Sequence, residues 1–282
     1  MTDLADLYRP ITASPFRNDD LYAEIPPCDA LKPFIRCFWG TNGKVKLTGP
    51  ELVIPDTCMD IVFTFDYTNN TTKSCFCTID EAGTLCGRSD GTLFTSFGIR
   101  FYAWSAALFT DISFSGRKNS FFDADEFAKG IGGEMLPMLA AVDTLEERAR
   151  FAEKNLCKRL DTGRMNSIIM NSVYDIIGSG GNAAASELAR NNAVSVRQLE
   201  RIFDENIGIS PKKLASLFRY QMLWQELSRG KTDILGLAEK YGYYDQAHLL
   251  HDFGKRHLMT PRAAVEFAKK DVAFLQYGDL NM

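Results

Sequence analysis

Apolar positions change their spacing about halfway along the chain. Before residue 120, β-branched and aromatic residues come in short runs: Leu52-Val53-Ile54-Pro55, Met59-Asp60-Ile61-Val62-Phe63-Thr64-Phe65 and Thr95 to Tyr102. Two of these alternate with the period of a strand. Turn-forming stretches separate them, Asp66-Tyr67-Thr68-Asn69-Asn70 and Gly87-Arg88-Ser89-Asp90-Gly91. A small barrel or sandwich follows from that pattern. From about Asp123 the spacing becomes helical, and Leu145, Ala149, Ala152, Leu156 and Leu160 fall on one helix face. That stripe either docks on its own domain or forms a seam with a second chain. A further helix is expected from near Arg164 to the loop Ile177-Gly178-Ser179-Gly180-Gly181, followed by short helices to about Lys270. The fold class expected is α+β and multidomain. A β-rich domain with trailing helices covers 1–161, and an all-α domain covers 162–282, with the boundary near Asp161-Thr162-Gly163.

Bulk properties fit this division. A chain of 282 residues accommodates two cores of ordinary size. With 45% hydrophobic and 24% charged residues it is neither disordered nor built to sit in a bilayer. The start, Met1-Thr2-Asp3-Leu4-Ala5-Asp6, has acids where a signal peptide carries basic residues, and no run is long enough to span a membrane, so a cytoplasmic location is expected. Six of the seven cysteines lie between Cys28 and Cys86, and reduced, mostly buried thiols are the default for such a chain. The net charge of −4 is unevenly spread. Residues 162–282 hold 15 Lys/Arg and 13 Asp/Glu, roughly +2, which leaves about −6 for residues 1–161. An acidic N-terminal domain would turn away from phosphates, so any nucleic-acid surface must be a local patch in the C-terminal part.

That part contains an internal repeat. Leu188-Ala189 recurs as Leu237-Ala238, 49 positions on; Leu199, Phe203, Ile209, Ser210 and Pro211 recur as Leu249, Phe253, Met259, Thr260 and Pro261, 50 positions on. The second copy therefore carries one extra residue in its turn, and two copies of one supersecondary unit are implied. Each reads as helix, tight turn, helix. In the first, Asn182 is expected to cap a helix burying Leu188 and Ala189, Asn191-Asn192 make the turn, and Ser195 caps the second helix with Gln198 as its capping-box partner. The second helix buries Leu199, Ile202 and Phe203, shows Val196, Arg197, Glu200 and Arg201 on its other face, and ends at Gly208. In the second unit Gly242 supplies the turn and Asp245 the cap; Leu249, Leu250 and Phe253 face inward, and Gln246, His248 and His251 face outward. Ser210-Pro211 and Thr260-Pro261 each open a further helix, the first running from Pro211 to about Ser228. The exposed, N-terminally basic face on the second helix of the first unit is what the major groove of double-stranded DNA accepts.

Three strings carry a resemblance: Ser-Val-Arg-Gln-Leu-Glu-Arg-Ile-Phe (195–203), Ile-Gly-Ile-Ser-Pro (207–211) and Gly-Tyr-Tyr-Asp-Gln-Ala-His-Leu-Leu-His-Asp-Phe (242–253). From about Asn182 to Phe267 the chain resembles the DNA-binding domain of AraC/XylS-type transcription regulators, two helix-turn-helix units joined by a long helix. The resemblance implies a transcription regulator, in the manner of AraC-type activators, whose partners are promoter sites on double-stranded DNA, with RNA polymerase and a second copy of the chain as further partners. It implies that helices near 196–206 and 246–256 enter successive major grooves. By position, Val196, Arg197, Gln198, Glu200 and Arg201, and Gln246, Ala247, His248 and His251, match the family's DNA-binding residues. The bland alternative is that the arginines are solvated helix residues and the histidines surface ones. Departures fall in the second unit: Leu258 stands where the family usually has glycine, His251 where a basic residue is common, and Gly254 lies inside a helix at a cost of about 1 kcal/mol.

Ile54 to Phe63, followed by Phe97-Gly98-Ile99-Arg100-Phe101, resembles a cupin-like domain found ahead of such helices, which implies sensing of a small-molecule effector or dimerisation. No cofactor or enzyme activity is expected. All three histidines lie in the C-terminal part, so a barrel site of histidines and a carboxylate is impossible. Cys75-Phe76-Cys77 places two thiols on one strand face, yet no standard second pair joins them and Cys86 as zinc ligands. Cys58 has no N-terminal histidine to activate it. A thiol-based redox or metal sensor regulator, or a protein whose helices contact another protein rather than DNA, are the alternatives. Asp56, Asp60 and Arg100, set among apolar neighbours, form either a buried ion-paired network or a pocket in which Arg100 binds an acidic effector.

Overall fold

A computed structural model of the chain describes residues 4–11, 22–41, 43–46, 50–87, 91–231 and 233–269. Arg88-Ser89-Asp90 of the expected second turn and the stretch from Lys270 onward lie outside the described residues.

A one-turn helix, α1 (Leu4–Leu7), precedes the strands β1 (Tyr22–Ile25), β2 (Ile35–Thr41), β3 (Val45–Lys46), β4 (Pro50–Val53), β5 (Cys58–Asp66), β6 (Thr71–Cys77), β7 (Thr84–Gly87), β8 (Leu93–Tyr102) and β9 (Phe121–Asp123). The main sheet is antiparallel in the order β1-β2-β8-β5-β6-β9, with β3 added to β8, while β4 and β7 pair as a separate ribbon. The alternation in β5 appears as alternating burial, with Ile61, Phe63 and Phe65 facing the core. The central strand β8 is buried along nearly its whole length, as expected of a strand covered on both faces.

This part is β-rich as expected, and its main sheet, antiparallel throughout, does not close into a barrel. Where closure would need another strand, helices cover the sheet: α2 (Ala124–Phe127), α3 (Ile131–Ala140) and α4 (Leu145–Arg159). The stripe on α4 does the covering. Leu145, Ala149, Ala152 and Leu156 are buried in the same apolar core as Ile35, Phe38 and Phe97, so this stripe docks on its own domain. Arg148 shares that face, its Nε donating to the carbonyls of Leu139 and Val142.

A 3-10 turn at Thr162–Arg164 leads to α5 (Ser167–Gly178), α6 (Ala185–Asn191), α7 (Val196–Ile207), α8 (Pro211–Ser228), α9 (Ile234–Lys240), α10 (Gln246–His257) and α11 (Pro261–Lys269). α5 begins three residues later than expected because Asn166 accepts from the Ile168 and Ile169 amides at 3.0 and 3.3 Å, a stronger start signal than the apolar spacing showed.

The apolar interior is not divided at residue 161. One cluster runs from the sheet through α4 to α7 and takes in Leu214, Leu217 and Phe218 of α8. A second gathers Tyr220, Leu223, Trp224 and Leu227 of α8 with Leu237, Leu249 and Phe253, and includes Ile54 from the β-rich part. The seam between clusters thus runs through α8, the helix that the repeat predicts as a linker.

Candidate nucleic-acid interface

The two repeats fold alike because their small and capping residues fall at the same places. Leu188, Ala189, Leu199 and Phe203 are buried in the first unit, and Leu237, Ala238, Leu249 and Phe253 in the second. Each turn has a left-handed residue, Ala193 (φ 53°) and Gly242 (φ 64°), after which Val194 and Tyr243 donate back to the carbonyls of Ala189 and Ala238 at 3.0 and 2.9 Å. The caps then come one position out of step, Ser195 accepting from Gln198 N at 3.1 Å and Asp245 from His248 N at 2.7 Å. The extra residue of the second turn is therefore Tyr244, whose side chain is 92% exposed.

Two local expectations are corrected. Asn182 does not cap α6: the helix starts after Ala184, which makes no side-chain cap, and the Asn182 amide donates instead to the Ser179 carbonyl at 3.2 Å. Leu250 is not on the buried side but 43% exposed, because α10 needs only Leu249 and Phe253 to fill its side of the core. The expected stops and starts elsewhere are present. Gly208 closes α7 at φ 84°, Ser210 accepts from Lys213 N at 3.4 Å, and Thr260 accepts from Ala263 N at 3.2 Å.

Val196, Arg197, Gln198, Glu200 and Arg201 are all exposed at the start of α7. Arg201 pairs with Glu205 one turn on at 3.1 Å; Arg197 has no ion-pair partner among the described residues. An exposed pair of that kind contributes little and yields readily to a phosphate or a base edge. Gln246, Ala247, His248 and His251 are likewise exposed on α10. His248 is more constrained: its Nδ1 accepts from the Tyr244 amide at 3.2 Å and its ring meets Tyr243 edge-on at 5.3 Å.

At the inner end of α10 sits a residue whose role the sequence did not reveal. His257 is fully buried, stacked on Phe253 at 4.8 Å and edge-on to Trp224 at 4.4 Å, with Nδ1 2.8 Å from the Tyr220 hydroxyl. Burial pushes its pKa down to about 3, so it is a neutral core residue. Its one sequence cue is its place at the end of α10, one turn past Phe253.

The acidic and basic residues singled out in the β-rich part come together. The register pairs Asp60 with Arg100 across β5 and β8. Arg100 Nε donates to Asp60 Oδ1 at 3.0 Å and lies 3.4 Å from Asp56 Oδ2; Trp39 Nε1 donates to Asp60 Oδ1 at 2.8 Å. Gly98 leaves room for the Trp39 ring, which a Cβ at that position would overlap. Arg100 is 6% exposed, and burial raises the Asp56 carboxyl to about 6 even beside Arg100, with Asp60 adding to the rise. The three residues form an ion-paired network, and an acidic effector at Arg100 would have to compete with two carboxylates already there.

Cys75 and Cys77 share a strand face with their sulfurs 4.0 Å apart, and Cys37 and Cys58 are buried. The Cys86 side chain lies outside what is described. Among the described residues no group of three or more His, Cys, Asp or Glu side chains is placed to hold a metal ion, and no helix is long and apolar enough to cross a membrane.

Residues 23–123 match a domain of unknown function (DUF6597), and residues 188–266 match the helix-turn-helix domain family. Among solved structures, a transcriptional regulator from Chromobacterium violaceum, described among AraC-type DNA-binding domain-containing proteins, is similar over 36% of this chain and 91% of its own, at 22% identity and a TM-score of 0.34. ToxT from Vibrio cholerae is similar over 82% of this chain and 98% of its own, at 10% identity and a TM-score of 0.44. The unsaturated fatty acid bound form of ToxT covers 89% and 97%, at 8% identity and a TM-score of 0.41. The curated proteins include no match to this chain.

Proposed function

We propose that this chain, whose residues 188–266 match the helix-turn-helix domain family, is a sequence-specific transcription regulator of the AraC type that binds promoter DNA and answers to a small-molecule effector held by its N-terminal part. The observation that carries the reading is the repeated unit itself: two capped helices, α7 and α10, each bury one apolar face and leave the opposite face uncovered, with α8 joining them. In this reading Arg197 and Arg201 supply the first groove contact, Val196, Gln198 and Glu200 border it, and Gln246, Ala247, His248 and His251 supply the second. Contact with RNA polymerase and pairing with a second copy are further steps of the same reading.

Selection of genomic fragments by the purified chain, with and without Arg197→Ala and Arg201→Ala combined, tests it. A few promoter sites should be enriched by the native chain and lost in the double variant. A guanine contact made by Arg197 would cost about 1–3 kcal/mol when removed. Affinity should also fall steeply with salt, since phosphate contacts release counterions. Binding that is indifferent to salt and to both substitutions would point to a protein partner instead.

A further inference from the structure

A cavity of about 220 Å³ lies where the N-terminal segment, the sheet and the last turn of α8 meet. Its walls include Arg9 and Tyr8 from the segment, Arg36 from β2, and Gln225, Ser228 and Arg229 from α8. Three arginines thus line one small space, together with the acidic Asp6. Arg36 is the telling member. It is 6% exposed, its one ion pair is with Glu24 at 3.5 Å, and its buried Nε has no hydrogen-bond partner among the described residues. Burying a guanidinium is costly, and an anion in the adjoining cavity would lower that cost.

The nearby end of α8 does not oppose an anion with bare carbonyls. Arg229 N donates to Gln225 O, Gly230 N to Leu227 O and Lys231 N to Glu226 O, and the Ser228 hydroxyl also donates to Gln225 O. The cavity walls are held in place on three sides. Tyr8 packs on Phe218 with ring centroids 4.4 Å apart, Gln225 Nε2 donates to Arg9 O at 2.6 Å, and Ile11 N donates to Gln221 Oε1 at 3.0 Å. Gln221 is itself fully buried, its Nε2 donating to Pro55 O at 2.5 Å, one residue before Asp56.

The geometry points to a binding site for a small organic oxyanion, a carboxylate or phosphate gripped by Arg36 and Arg229, between the β-rich part and the helix that joins the two DNA-binding units. Guanidinium groups recognise such anions through paired hydrogen bonds. The cavity is smaller than the roughly 300–1,000 Å³ of drug-sized ligand sites, so the occupant is a small metabolite. An anion there would tie the N-terminal segment, β2 and α8 together. The regulatory consequence rests on the DNA-binding reading; the binding site itself does not.

Isothermal titration of the full chain with inorganic phosphate, succinate and benzoate, without DNA, tests the site. At least one should bind saturably at one per chain, and phosphate against the two carboxylates tells the sources apart. Arg229→Gln changes an exposed residue and should weaken binding about tenfold or more while leaving the melting temperature of the unliganded chain unchanged. Arg36→Gln should weaken binding by a similar factor, even if removing its ion pair with Glu24 also lowers stability. No heat from any of the three anions, or equal affinity in both variants, overturns the site. A parallel promoter-binding measurement keeps the two readings apart, because loss of DNA binding alone leaves anion binding intact.

Discussion

Ala193 and Leu258 occupy left-handed backbone positions, with φ of 53° and 56°, where glycine carries no penalty from a Cβ. Gly242 holds the place equivalent to Ala193 in the second unit, so the two turns provide an internal comparison. Ala193 is exposed, and replacing it with glycine removes strain without emptying a core. Ala193→Gly should therefore raise stability by about 1 kcal/mol in urea denaturation, the relief being set partly against the greater freedom of glycine in the unfolded chain. Gly242→Ala should lower it by more, since the added Cβ would also collide with the Asn182 side chain. These positions mark what could be read from residues. The caps at Ser195, Asp245, Ser210 and Thr260 were legible because each is a local signal, fixed by a side chain and an amide three positions away, and Gly208 because glycine is free to take the left-handed conformation that closes a helix. Asn182 was misread because its amide found a nearby carbonyl in the preceding loop, a competition that composition does not reveal.

At the level of elements, periodicity located β5, β8, α4, α7, α8 and α10, and failed where a partner outside the element decided the outcome. Sheet closure is one such case, since α2 to α4 rather than a strand cover the face. The buried end of α10 is another. His257 is surrounded by Tyr220 and Trp224 of α8, more than thirty positions away in sequence, so nothing local distinguishes it from His248 or His251. Its depressed pKa has a consequence for stability. The unfolded histidine titrates near 6.5 and the folded one near 3, so between those values the unfolded chain binds the extra proton. The contribution is complete above pH 6.5 and is lost as pH falls, by about 2 kcal/mol on reaching pH 5. Asp56 and Asp80, both raised to about 6 chiefly by burial, act in the opposite sense over part of that range, because they bind protons more readily when folded. Comparison of the native chain with His257→Phe by denaturation at pH 7 and pH 5 isolates the histidine: the variant, whatever its baseline, should lose less stability on acidification. Equal losses would mean that the imidazole is reached by water.

For the whole molecule the decisive feature is that the β-rich part and the two helix-turn-helix units are packed on each other along α8 and beyond it. Glu81 pairs with Lys213 at 2.7 Å at the start of α8, Phe114 N donates to the Glu205 carbonyl at 2.9 Å at the end of α7, and Ser115 hydrogen-bonds Asp204 beside it. These contacts use the far end of α7 and leave its exposed start uncovered. The second unit is reached differently, through backbone. Gly83 approaches so close to the Arg256 carbonyl that any Cβ would collide with it and crowd Leu258. Gly83→Ala should therefore push the β-rich part off the end of α10 while leaving the α7 contact in place. Hydrogen exchange offers the reading: amides from 252 to 258 should exchange faster in the variant, and those of α7 should not change. If exchange rises in both units together, the parts separate as one body and α8 acts as a rigid strut. If only the second unit responds, α7 and α10 are held by separate contacts, and a change in the N-terminal part can alter their spacing without dissolving either.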